Sequence, residues 1–271
     1  MSSFLETARE TALEAGALLL NYFDRRVEYE LKGEFDLVSQ ADHASESLIV
    51  ERLRSRYPAH TVVAEEGRGA AGDSPYCWYV DPLDGTTNFV HGFPVFCVSL
   101  ALARENELLC GIIYDPLHRE LFEAERGAGA RLNGRRIQVS RVARLNDSLA
   151  ATGFPSRKRH LNVNVHFYYQ VAMVSHGVRR AGSAALDLAY VACGRLDAFW
   201  EFGLNPWDMA AGILLVEEAG GRVSDMRGAP HSLVSPHLLA DNGLLHEQML
   251  EIFGEVFRGQ FRTPLPEVGG S

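Results

Sequence analysis

Apolar positions along the chain switch between two spacings. Leu5, Ala8, Ala12, Ala15 and Leu19 recur every three or four residues behind a Ser3/Glu6 capping pair, which predicts an amphipathic helix over 3–23. The same logic predicts helices over 42–56, with Leu48, Ile49 and Leu53 inward, and over 162–176, 183–193, 207–219 and 244–257. Short β-branched and aromatic runs predict strands over 27–31, 61–64 and 78–80, the last ending at Asp81. Further runs at 95–103, 108–114 and 120–124 suggest an antiparallel meander, and Leu132-Asn133-Gly134-Arg135 is a hairpin turn leading into a strand over 137–139. Beyond a boundary near 140–148, strands are expected over 149–152, 177–180, 197–201 and 238–240, alternating with the later helices. Residues 32–36 and 68–75 read as loops. The pattern divides the chain into an α+β half over 1–145, an α/β half over 146–258 and a frayed tail over 259–271, the two halves forming one compact unit.

Composition narrows the class. The chain has 271 residues, 46% of them hydrophobic, enough for a sizeable core. A net charge of −9 argues against a general nucleic-acid or membrane-surface binder and suits a protein that holds cations. Cys77, Cys97, Cys110 and Cys193 have no Cys-x-x-Cys spacing and no secretory leader is apparent, so reduced thiols in the cytoplasm are expected. The longest apolar run, within 95–103, is far too short to span a membrane.

The chemistry gathers at element ends. In Asp81-Pro82-Leu83-Asp84-Gly85-Thr86-Thr87-Asn88-Phe89 an apolar run delivers two carboxylates to a Gly-Thr-Thr turn and then a helix start. Two readings stand at this point: a site for hard cations and phosphate, or a capped strand-to-helix turn. Glu65-Glu66-Gly67 follows another strand, and Asp208 lies in the first turn of a helix after Asn205-Pro206-Trp207. Carboxylates at the ends of separate elements can meet in one crevice of an open α/β layer, and four acids without histidine suit magnesium rather than zinc. Nucleotide triphosphatases, zincins and serine hydrolases are disfavoured, because Gly-x-x-x-x-Gly-Lys-[Ser/Thr], His-Glu-x-x-His and Gly-x-Ser-x-Gly are all missing. Gly127-Ala128-Gly129 reads as a tight turn, His91 as an ordinary loop or helix residue, and Trp200 and Trp207 as core. The basic run Ser156-Arg157-Lys158-Arg159-His160 reads as a solvated loop.

These residues resemble the inositol monophosphatase family, within the lithium-sensitive, magnesium-dependent sugar phosphatases. Asp81 to Phe89 is similar to its first signature, Trp207-Asp208-Met209-Ala210-Ala211-Gly212 to its second, and Arg180-Ala181-Gly182-Ser183-Ala184-Ala185 to a further motif. The resemblance implies an α-β-α-β-α sandwich, commonly a homodimer. It implies two or three magnesium ions held by Glu65, Asp81, the Leu83 carbonyl, Asp84 and Asp208, with Glu65, Asp84 and Thr86 catalytic. Phosphate would lie against Gly85 and Thr86. The alcohol would meet Gly182, Ser183, Ala184, Glu201 and Arg179, although adjacent Arg180 could take the last place. Lys32 and Asp42 fall in the family's mobile-loop region, with the spacing around Lys32 one residue short.

The implied reaction is hydrolysis of a phosphate monoester by a metal-activated water, with a small phosphorylated polyol or sugar as substrate. Inositol 1-phosphate comes first. Fructose 1,6-bisphosphate, histidinol phosphate and 3′-phosphoadenosine phosphates are the alternatives. From another class, some relatives act as accessory partners of the transcription machinery, for which residues 156–160 are the sequence candidate.

Overall fold

The structure is a computed structural model that describes residues 3–23, 29–33, 36–154 and 162–265, without the side chains of 29, 32, 33, 36 and 37. In chain order the elements are α1 (Ser3–Phe23), β1 (Tyr29–Gly33), β2 (Asp36–Ser39), α2 (Gln40–Arg56), β3 (Thr61–Ala64), β4 (Tyr76–Asp84) and α3 (Thr86–Val90). Then come β5 (Cys97–Arg104), β6 (Glu107–Asp115), β7 (Glu120–Glu125), β8 (Gly129–Leu132), β9 (Arg135–Arg136) and β10 (Leu149–Thr152). The chain closes with α4 (Asn164–Ala172), β11 (Gly177–Arg179), α5 (Ala184–Ala192), β12 (Ala198–Phe202), α6 (Pro206–Glu218), β13 (Arg222–Ser224), β14 (His237–Asp241) and α7 (His246–Phe257).

Five layers result. A seven-stranded sheet runs β3-β4-β5-β6-β7-β8-β9, parallel at β3 and β4 and antiparallel beyond. A five-stranded sheet runs β11-β10-β12-β14-β13; β10 is parallel to both neighbours and β14 antiparallel to both. Helices α1 and α2 cover the outer face of the larger sheet, α5 and α6 fill the space between the sheets, and α4 and α7 cover the smaller sheet. This is the expected α-β-α-β-α sandwich.

Strand β5 shows how sequence makes the layers. Cys97, Ala101 and Ala103 face the α5/α6 layer, while Val98, Leu100 and Leu102 face α1 and α2, so the strand is apolar on both sides. Each Val or Leu so buried contributes roughly 1.5–3 kcal/mol. The small residues let α6 come close. A Cβ on Gly111 of β6 would stand 2.9 Å from Ala211 Cα, so even an alanine there would push back the helix that carries Asp208.

Several expectations shift. Strand β4 does not stop at Asp81 but continues through Pro82 to Asp84, with a break in register against β5 between the two acids. Proline is tolerated because the ladder is already irregular there. Residues 137–139 form no strand: Ile137 N–H donates to Ala130 and Val139 N–H to Ala219, two different elements. The loop over 32–36 is narrower than expected, since Gly33 pairs with Asp36 in a β1–β2 hairpin, and β13 is an unexpected strand. Helix α4 is shorter than 162–176. The expected frayed tail is held at its start, where Gln170 on α4 donates to Thr263 O at 2.7 Å and accepts from Thr263 N–H at 3.0 Å. The basic run 156–160, part of the strand expected over 27–31 and residues 266–271 lie outside the described residues. Among the described residues no helix is long and apolar enough to cross a membrane.

Candidate active site

The irregular end of β4 builds the first wall. Asp81 is 2% exposed, and its Oδ1 accepts the Leu83 N–H at 3.0 Å. Gly85 then takes φ +96° as the N-cap of α3, where a Cβ would lie 2.8 Å from the Val95 carbonyl. Only glycine turns the chain here without strain. Thr86 Oγ lies 2.9 Å from Asp42 Oδ1 and 3.1 Å from the Leu83 carbonyl, either of which can take its one proton. Asp42 is fixed from below, because its other oxygen caps α2 by accepting from Ser39 N–H at 2.8 Å and Ser39 Oγ at 2.6 Å. Its place is therefore a buried support under Thr86, not a loop. Lys32 lies on β1 by its backbone.

The turn after β3 is held from α2. Buried Glu46 accepts Glu66 N–H at 2.6 Å and Arg68 N–H at 2.9 Å, which fixes the segment carrying Glu65. From the other half, Ser183 caps α5 and donates to Asp84 Oδ2 at 2.6 Å, and Ala185 N–H donates to the same oxygen at 2.8 Å. Asn88 ties α3 to the segment before α5, giving hydrogen bonds of 2.8 Å to Val95 O and to Ala181 O. Asp208, third residue of α6, closes a capping box with Asn205.

These elements surround a cavity of about 460 Å³ whose wall includes Glu65, Asp84, Arg180, Asp187, Glu201 and Asp208, together with the turn Gly182-Ser183-Ala184. Asp81, Leu83, Gly85 and Thr86 lie outside that wall. So does exposed Arg179; its neighbour Arg180 lines the cavity instead, adjacent side chains of an extended segment pointing to opposite sides. Glu201 sits against backbone: a Cβ on Gly153 would fall 2.0 Å from Glu201 Oε2, so only glycine leaves the carboxylate its seat.

The electrostatics are one-sided. Burial pushes the Asp81 carboxyl well above the usual range, and the negative charges of Glu65, Asp84 and Asp208 push it further. Burial also raises Asp84, against the pull of Ser183 and Ala185. Glu201 is raised well above its ordinary value by burial and then by Asp187, Asp208 and Asp84, with Arg180 opposing. Such a set of oxygen donors, acids that raise one another, matches the chemistry of a hard divalent cation. Among the described residues no three His, Cys, Asp or Glu side chains stand grouped as ligands in the structure as it is. The donors are engaged within the protein: Asp84 with Ser183, Asp208 with Asn205, and the Leu83 carbonyl near Thr86.

Four contributors escaped the sequence reading: Glu46, Gly153, Asp187 and the role of Asp42. Asp42 and Glu46 share the inward face of α2, and their spacing of four was the available signal. Gly153 carries no pattern, because its need arises from a residue 48 positions away on β12.

The model of the inositol monophosphatase family matches residues 1–257. An inositol-1-monophosphatase of Synechocystis is 45% identical over 252 residues, covering 92% of this chain and 88% of its own. The Nus factor SuhB of Pseudomonas aeruginosa is 45% identical over 250 residues, covering 89% and 92%. Among solved structures, the extragenic suppressor protein suhB of Bartonella henselae superposes with a TM-score of 0.89 at 42% identity, covering 93% of this chain and 98% of that one.

Proposed function

The chain belongs to the inositol monophosphatase family and is a phosphoric monoester hydrolase, and from that premise we propose that it is a magnesium-dependent inositol-1-monophosphatase, converting inositol phosphate and water to inositol and phosphate. The observation that carries the metal is Asp81: a buried carboxylate whose influential charged neighbours are all acids is costly to fold unless a cation joins it. Glu65, Asp81, the Leu83 carbonyl, Asp84 and Asp208 would hold two or three magnesium ions. Magnesium supplies a lowered pKa for bound water and positive charge against the phosphoryl oxygens.

The chain's own groups do the rest. With its proton donated to Asp42, Thr86 offers lone pairs only, so it accepts a hydrogen bond from the attacking water and, with Glu65, turns an oxygen lone pair toward phosphorus, the proton that water gives up passing to solvent. The glycine at 85 lets the phosphate approach backbone. As the new P–O bond forms, the ester P–O bond breaks on the opposite side, and the departing oxygen takes a proton from solvent as it leaves as the alcohol. Glu201 and Arg180 face that alcohol.

A phosphate-release panel tests the reading, using inositol monophosphates, fructose 1,6-bisphosphate, histidinol phosphate and adenosine 3′,5′-bisphosphate, with and without magnesium and lithium. Magnesium-dependent, lithium-sensitive release, highest for inositol 1-phosphate, is expected. Release independent of magnesium removes the metal. A preference for another substrate removes the inositol assignment. The homodimer belongs to the same proposal, and a single sedimenting species of 30.0 kDa would remove it.

A second role, as a partner of the transcription machinery, is favoured by the relative named Nus factor SuhB. The variant Asp84→Asn separates the two: it should retain binding to transcription complexes while losing turnover, and a wild-type chain that fails to bind them ends the second reading.

A further inference from the structure

One acid of the cavity has no task in the reaction above. Asp187 is on α5, one turn beyond the N-cap Ser183, and is 2% exposed. It lines the cavity, yet its buried Oδ1 has no hydrogen-bond partner among the described residues. A place in the first turn of a helix accounts for an acid there, since the dipole favours negative charge. It does not account for burial without a donor, which ordinarily costs about 1–3 kcal/mol. Such a group in a native protein calls for an explanation, and a bound water, ion or ligand is one.

The neighbours say what that is. Asp187 and Glu201 share the cavity wall: Asp187 is the leading charge raising Glu201, and Arg180 opposes the rise at both. Gly153 keeps the space beside Glu201 open. Phosphate is repelled by two carboxylates, so this end of the cavity takes the other end of the substrate. With Arg180 already offsetting part of their charge, two acceptor groups side by side match a neutral group with adjacent O–H donors. They suit a cationic amine less well.

Resting on the phosphatase reading, we infer that Asp187 is a specificity-determining residue for the leaving alcohol, its unpartnered carboxylate accepting a hydroxyl of a polyol beside the one that meets Glu201. The carboxylate thus selects monoesters whose alcohol carries further hydroxyls. It takes no part in cleavage of the ester bond.

The test compares wild type, Asp187→Asn and Asp187→Ser on three monoesters: inositol 1-phosphate, p-nitrophenyl phosphate, which has no further hydroxyl, and histidinol phosphate, which carries an amine. The ratio of kcat/KM for inositol 1-phosphate to that for p-nitrophenyl phosphate should fall about tenfold in Asp187→Ser, whose shorter side chain loses the hydrogen bond, and less in Asp187→Asn, whose amide oxygen still accepts. The fall should lie in KM for inositol 1-phosphate rather than in kcat. Thermal unfolding of the variants at or above the wild-type midpoint is expected and confirms folding. A ratio within twofold of wild type in Asp187→Ser overturns the inference. So does a larger loss on histidinol phosphate than on inositol 1-phosphate, which would make Asp187 an amine site. If wild type itself releases no phosphate from any of the three, the phosphatase reading has failed instead, and the two failures are distinguishable.

Discussion

Two carboxylates lie equally deep in this molecule and have opposite surroundings. Asp241, at the end of β14, is 0% exposed; its Oδ2 meets His246 Nδ1 at 2.6 Å and its Oδ1 accepts Gly243 N–H at 2.7 Å. His246 Nε2 lies 2.9 Å from Ser224 Oγ, which is 2.6 Å from the Asp225 carbonyl. Serine's one proton can go to Nε2 or to the Asp225 carbonyl, and His246 Nδ1 and Asp241 share a short hydrogen bond. Every polar atom is used, which joins β13, β14 and α7. Asp81 has one backbone donor and, around it, three more acids. The first arrangement is complete within the chain. The second gathers acids around a buried acid, a charge that the proposed cation would offset.

The largest effect is expected at the closed network. His246→Ala leaves Asp241 buried without its partner and should cost about 3–5 kcal/mol in urea unfolding. A loss below about 1 kcal/mol would show the network to be dispensable. At the open end, Asp84→Asn should lower kcat about 10²–10³-fold, the scale of removing one preorganised electrostatic group. Its unfolding midpoint should not fall, since asparagine still accepts from Ser183. Magnesium-dependent turnover at the wild-type rate would remove Asp84 from the site.

A smaller effect is expected from pH. Asp81, Asp187 and Glu201 are all raised in the folded state. The native protein therefore binds their protons more tightly than the unfolded chain, and stability falls as pH climbs from the ordinary carboxylate value of about 4 toward the raised native values. The metal-free protein should have a higher urea midpoint at mildly acidic than at neutral pH. A midpoint that stays level or rises with pH would show the acids to be compensated. The smallest effect belongs to Glu46→Gln, which weakens two hydrogen bonds to the segment bearing Glu65. A severalfold drop in kcat with about 1 kcal/mol or less of stability lost is expected. Unaltered kcat would show that Glu65 needs no such support.

The sequence made the open end readable and the closed end not. Asp81, Asp84 and Asp208 sit beside Gly, Thr, Pro and Trp in short contiguous motifs, so each could be placed at an element end before any contact was known. The meander, the Asn133-Gly134 turn and most helices were legible by period and turn chemistry; Asn133 and Gly134 both adopt positive φ. Asp241, His246 and Ser224 are separated by up to 22 positions and obey no motif, since their pairing is created by β13, a strand too short to show a period. Asp187 looked like one more helical residue because only burial distinguishes it. Arg179 and Arg180 could not be told apart from spacing, as the side of the strand that each faces is set by β11 pairing with β10.

The central claim is that the acids around Asp81 form a divalent-cation site, and a magnesium titration of the metal-free protein at neutral pH, followed by its thermal midpoint, tests it directly. A ligand that binds only the folded state stabilises by RT ln(1 + [L]/Kd), about 2.7 kcal/mol at a hundredfold excess over Kd. The account predicts a saturable rise in the midpoint for wild type that is absent or strongly weakened in Asp84→Asn. Equal rises in both proteins, or none in wild type, would contradict it.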